Sequence, residues 1–270
     1  MSGGTRLALA AALLLAARGL AGQVPPIQDN SFLIEEAYNQ EAGVVQHINT
    51  FLRDRDTGEW GYSFTQEWPL GGVAHQLSFT LPAQGGSAEG RGIGDLALNY
   101  RYQLVGDGDA QVAVAPRFSL LLPTGSVKEG RGAGTVGFQV NLPVSVVLSK
   151  QWATHWNAGA TYTPSAENAA GQKADTRSVN LGQSFIWQPT ATLNLMLETV
   201  WERGQEVVAR GETESEESLF ISPGIRWALN FSNGLQIVPG IALPIGVGPS
   251  SGEKSLFLYL SFEHPFKRQP

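Results

Sequence analysis

The chain alternates between apolar and polar residues with a period of two, strand after strand, up to its last residues. In SLFLYLSFEHPF (255–266), Leu256, Leu258, Leu260, Phe262 and Phe266 fall on one side of an extended backbone, and Ser255, Tyr259, Ser261 and Glu263 fall on the other. SLFISPGIRWALNF sets Leu219, Ile221, Ile225, Trp227, Leu229 and Phe231 against Ser222, Gly224, Arg226 and Asn230. TLNLMLETVW sets Leu193, Leu195, Leu197 and Trp201 against Asn194, Glu198 and Glu202. About twelve such strands begin near Val44, Trp60, Ala74, Gly92, Ala110, Gly134, Ala153, Thr176, Thr192, Ser218, Gly234 and Glu253. An even number suits a single-chain antiparallel barrel in a bacterial outer membrane.

The connections alternate in length. LGG, GDGD, SKQW, PTA and SNG are tight, whereas PAQGGSAEGRG, TGSVKEGRGAG, PSAENAAGQKADT, ARGETESEES and GPSSGE are long and polar. Short turns at one end and long loops at the other predict an all-β, up-and-down transmembrane barrel with periplasmic turns and outward loops. Trp68, Tyr102, Trp152, Trp187, Phe231 and Phe266 lie near the short-turn end on the apolar face, and Trp60, Tyr162 and Trp201 lie nearer the other. Two such groups are the aromatic girdles of a membrane interface. The last strand should close against the first, because an open edge in hydrocarbon leaves backbone groups without partners. Pro116, Pro143, Pro223, Pro239 and Pro244 fall inside these strands and predict interruptions. The first strand, GVVQHINTFLRD, alternates poorly.

Residues 1–22 differ from the rest: MSGGTR, the apolar run Leu7–Ala17, and RGLAGQ read as a secretory signal peptide cleaved after Ala21 or Gly22. Loss of Arg6 and Arg18 leaves 16 basic residues against 24 acidic ones, a charge of −8. That balance, with no basic stripe, speaks against nucleic acid as a partner. The chain has no cysteine, which excludes disulfides, thiol nucleophiles and cysteine-ligated zinc. Residues 23–42 form a segment ahead of the barrel (43–270) that either stays in the periplasm or folds into the bore.

GRGIGDLALNYRYQLV, VAVAPRFSLLLPTGS and GRGAGTVGFQVNLPVSVVLS resemble the bacterial family known as the MetA-pathway of phenol degradation family, over about Asn30 to Phe266. Its motifs here are GIGD (Gly92–Asp95) and PTG (Pro123–Gly125). The resemblance implies an outer-membrane barrel with a role in uptake of small compounds, aromatic ones among them. It carries over no binding residues.

Gly132, Gly134 and Gly137 match GxGxxG, but an alternating strand follows where a dinucleotide site needs a helix. The histidines, His47, His75, His155 and His264, are isolated in sequence and form no HExxH pair, so no metal and no cofactor is assigned. A lipid hydrolase would need serine and histidine together on the lipid face, and His264 has no serine beside it there. Glu212, Glu214, Glu216 and Glu217 read as a solvated outward loop. Function belongs in the lumen, where Glu67, Asp95, Arg101, Arg117, Glu198, Glu202, Arg226 and Glu263 face inward. Glu198 and Arg226 sit on adjacent strands at similar height and are expected to pair. The sequence therefore points to a passive or gated conduit for small molecules rather than an enzyme, with lipid, a solute and the barrel-assembly machinery as partners. A closed structural barrel is the main alternative, and a membrane lipid hydrolase the lesser one.

Overall fold

The computed structural model describes residues 27, 31–87, 90–107 and 110–266; the expected signal peptide lies outside them. Among the described residues, twelve antiparallel strands run in sequence order: β1 (Val44–Asp54), β2 (Trp60–Pro69), β3 (His75–Ser87), β4 (Gly90–Ile93 and Leu96–Tyr102), β5 (Val112–Val114 and Arg117–Leu122), β6 (Gly137–Ser149), β7 (Trp152–Glu167), β8 (Lys173–Thr190), β9 (Leu193–Ala209), β10 (Glu212–Trp227 and Leu229–Asn230), β11 (Gln236–Ala242 and Ile245–Gly246) and β12 (Ser255–Pro265). The sheet closes where β1 meets β12, in continuous register from Val44↔Pro265 to Asp54↔Ser255. Closure removes the edge that hydrocarbon could not tolerate. The last strand therefore carries leucines outward and Phe257, Tyr259 and Ser261 inward.

The outer surface carries the apolar residues. Leu98, Phe138, Val140, Leu142, Leu181, Phe185, Leu195, Leu197, Leu243 and Leu258 are all exposed around the wall. The buried residues include Asn99, Asn141, Asn157, Ser184, Glu198 and Arg226, so this molecule is polar within and apolar without. Trp152 and Trp187 stack at 6.1 Å between ring centroids at the short-turn end, where Tyr102, Phe231 and Phe266 are also exposed.

The prolines interrupt the wall in a specific way. Pro143, Pro223 and Pro239 remain inside continuous strands, and the gap falls on the strand opposite. Ala115 donates to the Pro143 carbonyl at 3.2 Å, and Leu243 donates to that of Pro223 at 3.0 Å. Proline has no N–H to return the second bond of either pair, so β5 breaks at Ala115–Pro116 and β11 at Leu243–Pro244. Pro239 sits opposite Trp227 by register, beside the break in β10 at Ala228.

Several stretches expected as long loops are strand. β3 continues to Ser87 and β4 starts at Gly90, while β9 and β10 meet across a tight turn at Gly211 (φ +78°). Beyond the membrane both faces of a hairpin meet water, so the apolar alternation stops while the ladder continues. Longer loops remain at 123–136, with a short 3₁₀ turn at Val127–Glu129, and at 247–254. The poor alternation of β1 also has a cause. Ile48 points inward and packs with Phe32 in a buried apolar cluster, while His47 and Asn49 lie on the outer face.

Candidate functional site: a plugged lumen

Residues 31–40 lie inside the barrel, in the half nearer its short turns. The segment bends at Phe32–Ile34 and at Ala37, and several of its N–H groups are taken by side chains of the wall. Leu33 donates to both carboxylate oxygens of Glu198, at 3.0 and 3.2 Å. Glu35 donates to Asn157 Oδ1 at 2.9 Å, Ala37 to Ser145 Oγ at 2.7 Å, and Asn39 to Gln103 Oε1 at 2.9 Å. The carbonyls are served in the same manner: Asn157 Nδ2 donates to Glu35 O at 2.8 Å, and Gln103 Nε2 to Ala37 O at 2.7 Å. Arg101 donates to Asn39 Oδ1, Glu36 O and Tyr38 O at 2.8, 3.2 and 2.7 Å. A backbone buried away from water needs such partners for its peptide N–H and C=O groups.

The side chains of this segment fill space left by glycines. The Phe32 ring lies where a Cβ on Gly224 or Gly240 would approach it to 2.5 and 2.4 Å, and Ile34 lies where one on Gly182 would approach to 2.2 Å. Phe32 also packs on Phe257 and Tyr259, each at 5.5 Å between centroids. Glu35 is clasped by Arg117, with Nη2 2.6 Å from Oε1 and Nε 3.0 Å from Oε2. Burial pushes the Glu35 carboxyl up, but the Arg117 and Arg101 guanidinium groups outweigh it and hold the pKa below its ordinary 4.5. Burial, with Glu36 adding to it, raises Tyr38 to about 12.

The predicted lumen residues do not converge on one place. Arg101, Arg117 and Glu198 hold the plug, and Glu67 supports Arg101 from 3.9 Å while accepting from Gln76 Nε2 at 2.8 Å. Glu202 lies above the plug in a cavity of about 430 Å³ that Glu206, Glu216 and Glu253 also line. Glu263 lies opposite Gln46 and Gln236 near the short-turn end. Asp95 serves the outer mouth instead. Its carboxylate accepts from Gly125 N and Ala133 N, both at 2.8 Å, and so ties the 123–136 loop to β4. Thr124 Oγ1 donates to Gly94 O at 2.9 Å, so the GIGD and PTG motifs meet as one clasp there. Gly125 and Gly132 are required in it, since a Cβ would meet Arg131 O at 2.0 Å or Asp95 Oδ1 at 2.6 Å.

The expected Glu198–Arg226 pair is not made directly. The register puts Glu198 opposite Ser222 and Arg226 opposite Asn194, four positions away, and the Phe32 ring occupies the level of Gly224 between them. Arg226 Nε donates instead to Asn194 Oδ1 at 2.8 Å. The wall residues that sequence did not single out are Gln103, Asn157, Ser145, Gln76 and Ser184, each on the plug backbone or Ser31.

A second cavity, of about 400 Å³, opens at the short-turn end and is lined by Ile27, Glu36, Tyr38, His155 and Pro189. The plug stands between the two. A third, of about 270 Å³, lies beside Glu35 and Arg117 against β2 to β6.

The family model described as "Putative MetA-pathway of phenol degradation" matches residues 25–246. The chain belongs to this family. In this member of the phenol-degradation family the matched span takes in the plug and eleven of the twelve strands. No curated protein matches the sequence. Among solved structures, an outer membrane channel from Pseudomonas putida F1 superposes with a TM-score of 0.59 at 14% identity, covering 84% of this chain and 97% of that one. That likeness fixes the fold as an outer-membrane barrel. The CymD monoaromatic hydrocarbon channel covers 85% of this chain and 90% of its own at 10% identity, with a TM-score of 0.44.

Proposed function

We propose that this barrel is a gated conduit for small hydrophobic molecules, aromatic ones included, and that residues 31–40 are its gate. The observation that carries the reading is the position of the plug between an outer cavity of about 430 Å³ and a periplasmic one of about 400 Å³. Both fall in the size range of small-molecule sites. The solute class is supported by the family description, which ties the barrel to phenol degradation. Export by a cleaved signal peptide and insertion by the barrel-assembly machinery complete the proposal.

The Ser–His contact in the barrel supports a structural use over an enzymatic one. Ser145 Oγ lies 2.6 Å from His155 Nδ1, yet Ser145 is fully buried and its oxygen already takes the Ala37 N–H. A nucleophile would need that oxygen open to a substrate.

Single-channel recording in a planar bilayer tests the gate. The full chain should show rare openings and a variant lacking residues 27–42 should conduct steadily. If both are silent, the barrel is a closed structural element and the conduit reading fails.

A further inference from the structure

We propose that His47 and His264 form a two-histidine site for a borderline transition metal such as Zn²⁺, pinning the first strand to the last on the outside of the barrel. The proposal is independent of the conduit reading. His47 on β1 and His264 on β12 are diagonal neighbours across the closing seam, since His264 pairs with Val45 and His47 with Phe262. Their Nε2 atoms approach to 3.4 Å while the ring centroids stand 5.4 Å apart, so the imidazoles converge tip to tip. Two nitrogens held at 2.0–2.1 Å by one tetrahedral ion lie about 3.3–3.4 Å apart.

The surroundings orient both rings toward such an ion. His264 Nδ1 faces the Pro265 carbonyl at 3.4 Å; a carbonyl can only accept, which suits the tautomer with the proton on Nδ1, and in that tautomer Nε2 presents its lone pair toward His47. The His47 ring stacks on Phe64 with centroids 6.1 Å apart, which sets its plane. Both side chains are partly exposed near the periplasmic end, where water can supply the remaining ligands. Zn²⁺, Cu²⁺ and Ni²⁺ all accept neutral imidazole, and two ligands with open positions make a site that reads metal availability rather than holding one ion permanently. Its place on the seam is the consequential part, because β1 and β12 join the two ends of the chain.

The test is a Zn²⁺ titration of the chelator-treated, detergent-solubilised full chain, read by calorimetry and by the shift in apparent unfolding temperature. Wild type should bind one Zn²⁺ per chain and unfold at a higher temperature with the metal. His47→Gln should weaken binding by about tenfold or more and abolish the thermal shift. His75→Gln alters another exterior histidine, bonded to Tyr100 at 2.7 Å, and should leave both unchanged. His264→Gln should match His47→Gln; if that C-terminal change blocks assembly, His47→Gln alone decides. Absence of saturable binding in wild type, or binding by His47→Gln as tight as wild type, overturns the site and leaves a hydrogen-bonded histidine pair.

Discussion

Replacing Glu198 by glutamine should loosen the plug without disturbing the wall. The carboxylate is fully buried and takes the Leu33 N–H on both oxygens, with the backbone of Ile34 and Phe32 also facing it. Glutamine keeps the volume but turns one of the two acceptor oxygens into an NH₂ that confronts backbone donors. A buried donor left without its acceptor costs about 1–3 kcal/mol. Losing that acceptor thus amounts to about 1–3 kcal/mol of docking free energy. That range is about 5- to 150-fold in the ratio of undocked to docked plug. The β9 ladder does not use this side chain, so the barrel itself should be unaffected. Because the chain has no native cysteine, an Ile34→Cys probe can report release through its rate of reaction with a membrane-impermeant maleimide. Both that rate and the single-channel open probability should rise in the Glu198→Gln background. If neither changes while deletion of residues 27–42 opens the pore, Glu198 is not a latch.

Glu35 gives the docked plug a pH dependence of definite sign. Its pKa is lowered in the docked state by Arg117 and Arg101, so its contribution is fully present above the ordinary 4.5 and is lost as pH falls through the depressed value. Open probability should therefore rise as pH falls below 4.5, and Glu35→Gln should abolish that part of the response. Gly240→Ala places a methyl 2.4 Å from the rigid Phe32 ring and should raise Ile34→Cys labelling about tenfold, while native-like migration on semi-native gels persists. Arg101→Ala removes three bonds to the plug and leaves Glu67 buried without that cation, which should open the channel and lower the unfolding temperature. The outer cavity carries Glu202, Glu206, Glu216 and Glu253, so plug-deleted channels should favour cations in a salt gradient; Glu202→Gln with Glu216→Gln should shift the reversal potential toward zero.

The wall was legible because lipid demands an apolar face at every second residue, and SLFLYLSFEHPF or TLNLMLETVW can satisfy that demand in one register only. Where the demand ends, so does the signal: residues 205–209 and 212–217 are strand, yet nothing in GETESEES distinguishes a hairpin in water from a loop. The inner site was harder to see. Plug contacts are made by glutamines, asparagines and serines that look like any lumen lining, and Glu198 and Arg226 could be placed on neighbouring strands but not told apart in height once Phe32 stood between them. Two cues were present. Phe32, Leu33 and Ile34 are a compact apolar triplet in a polar leader, and Gly182, Gly224 and Gly240 sit on inward positions of three strands, where a missing side chain marks room for something else.

Asn157 and Gln103 each give and accept one bond with the inner segment, as a neighbouring strand's peptide group would. Amide side chains thus impersonate a thirteenth strand that the sheet never contains. Departure of the segment exposes amides and a carboxylate to water and leaves every rung of the cylinder in place, so the same molecule can be stoppered or vacant with an identical frame. Exchange of a glutamine or serine can then retune how firmly the stopper sits while the ladder around it stays as it is.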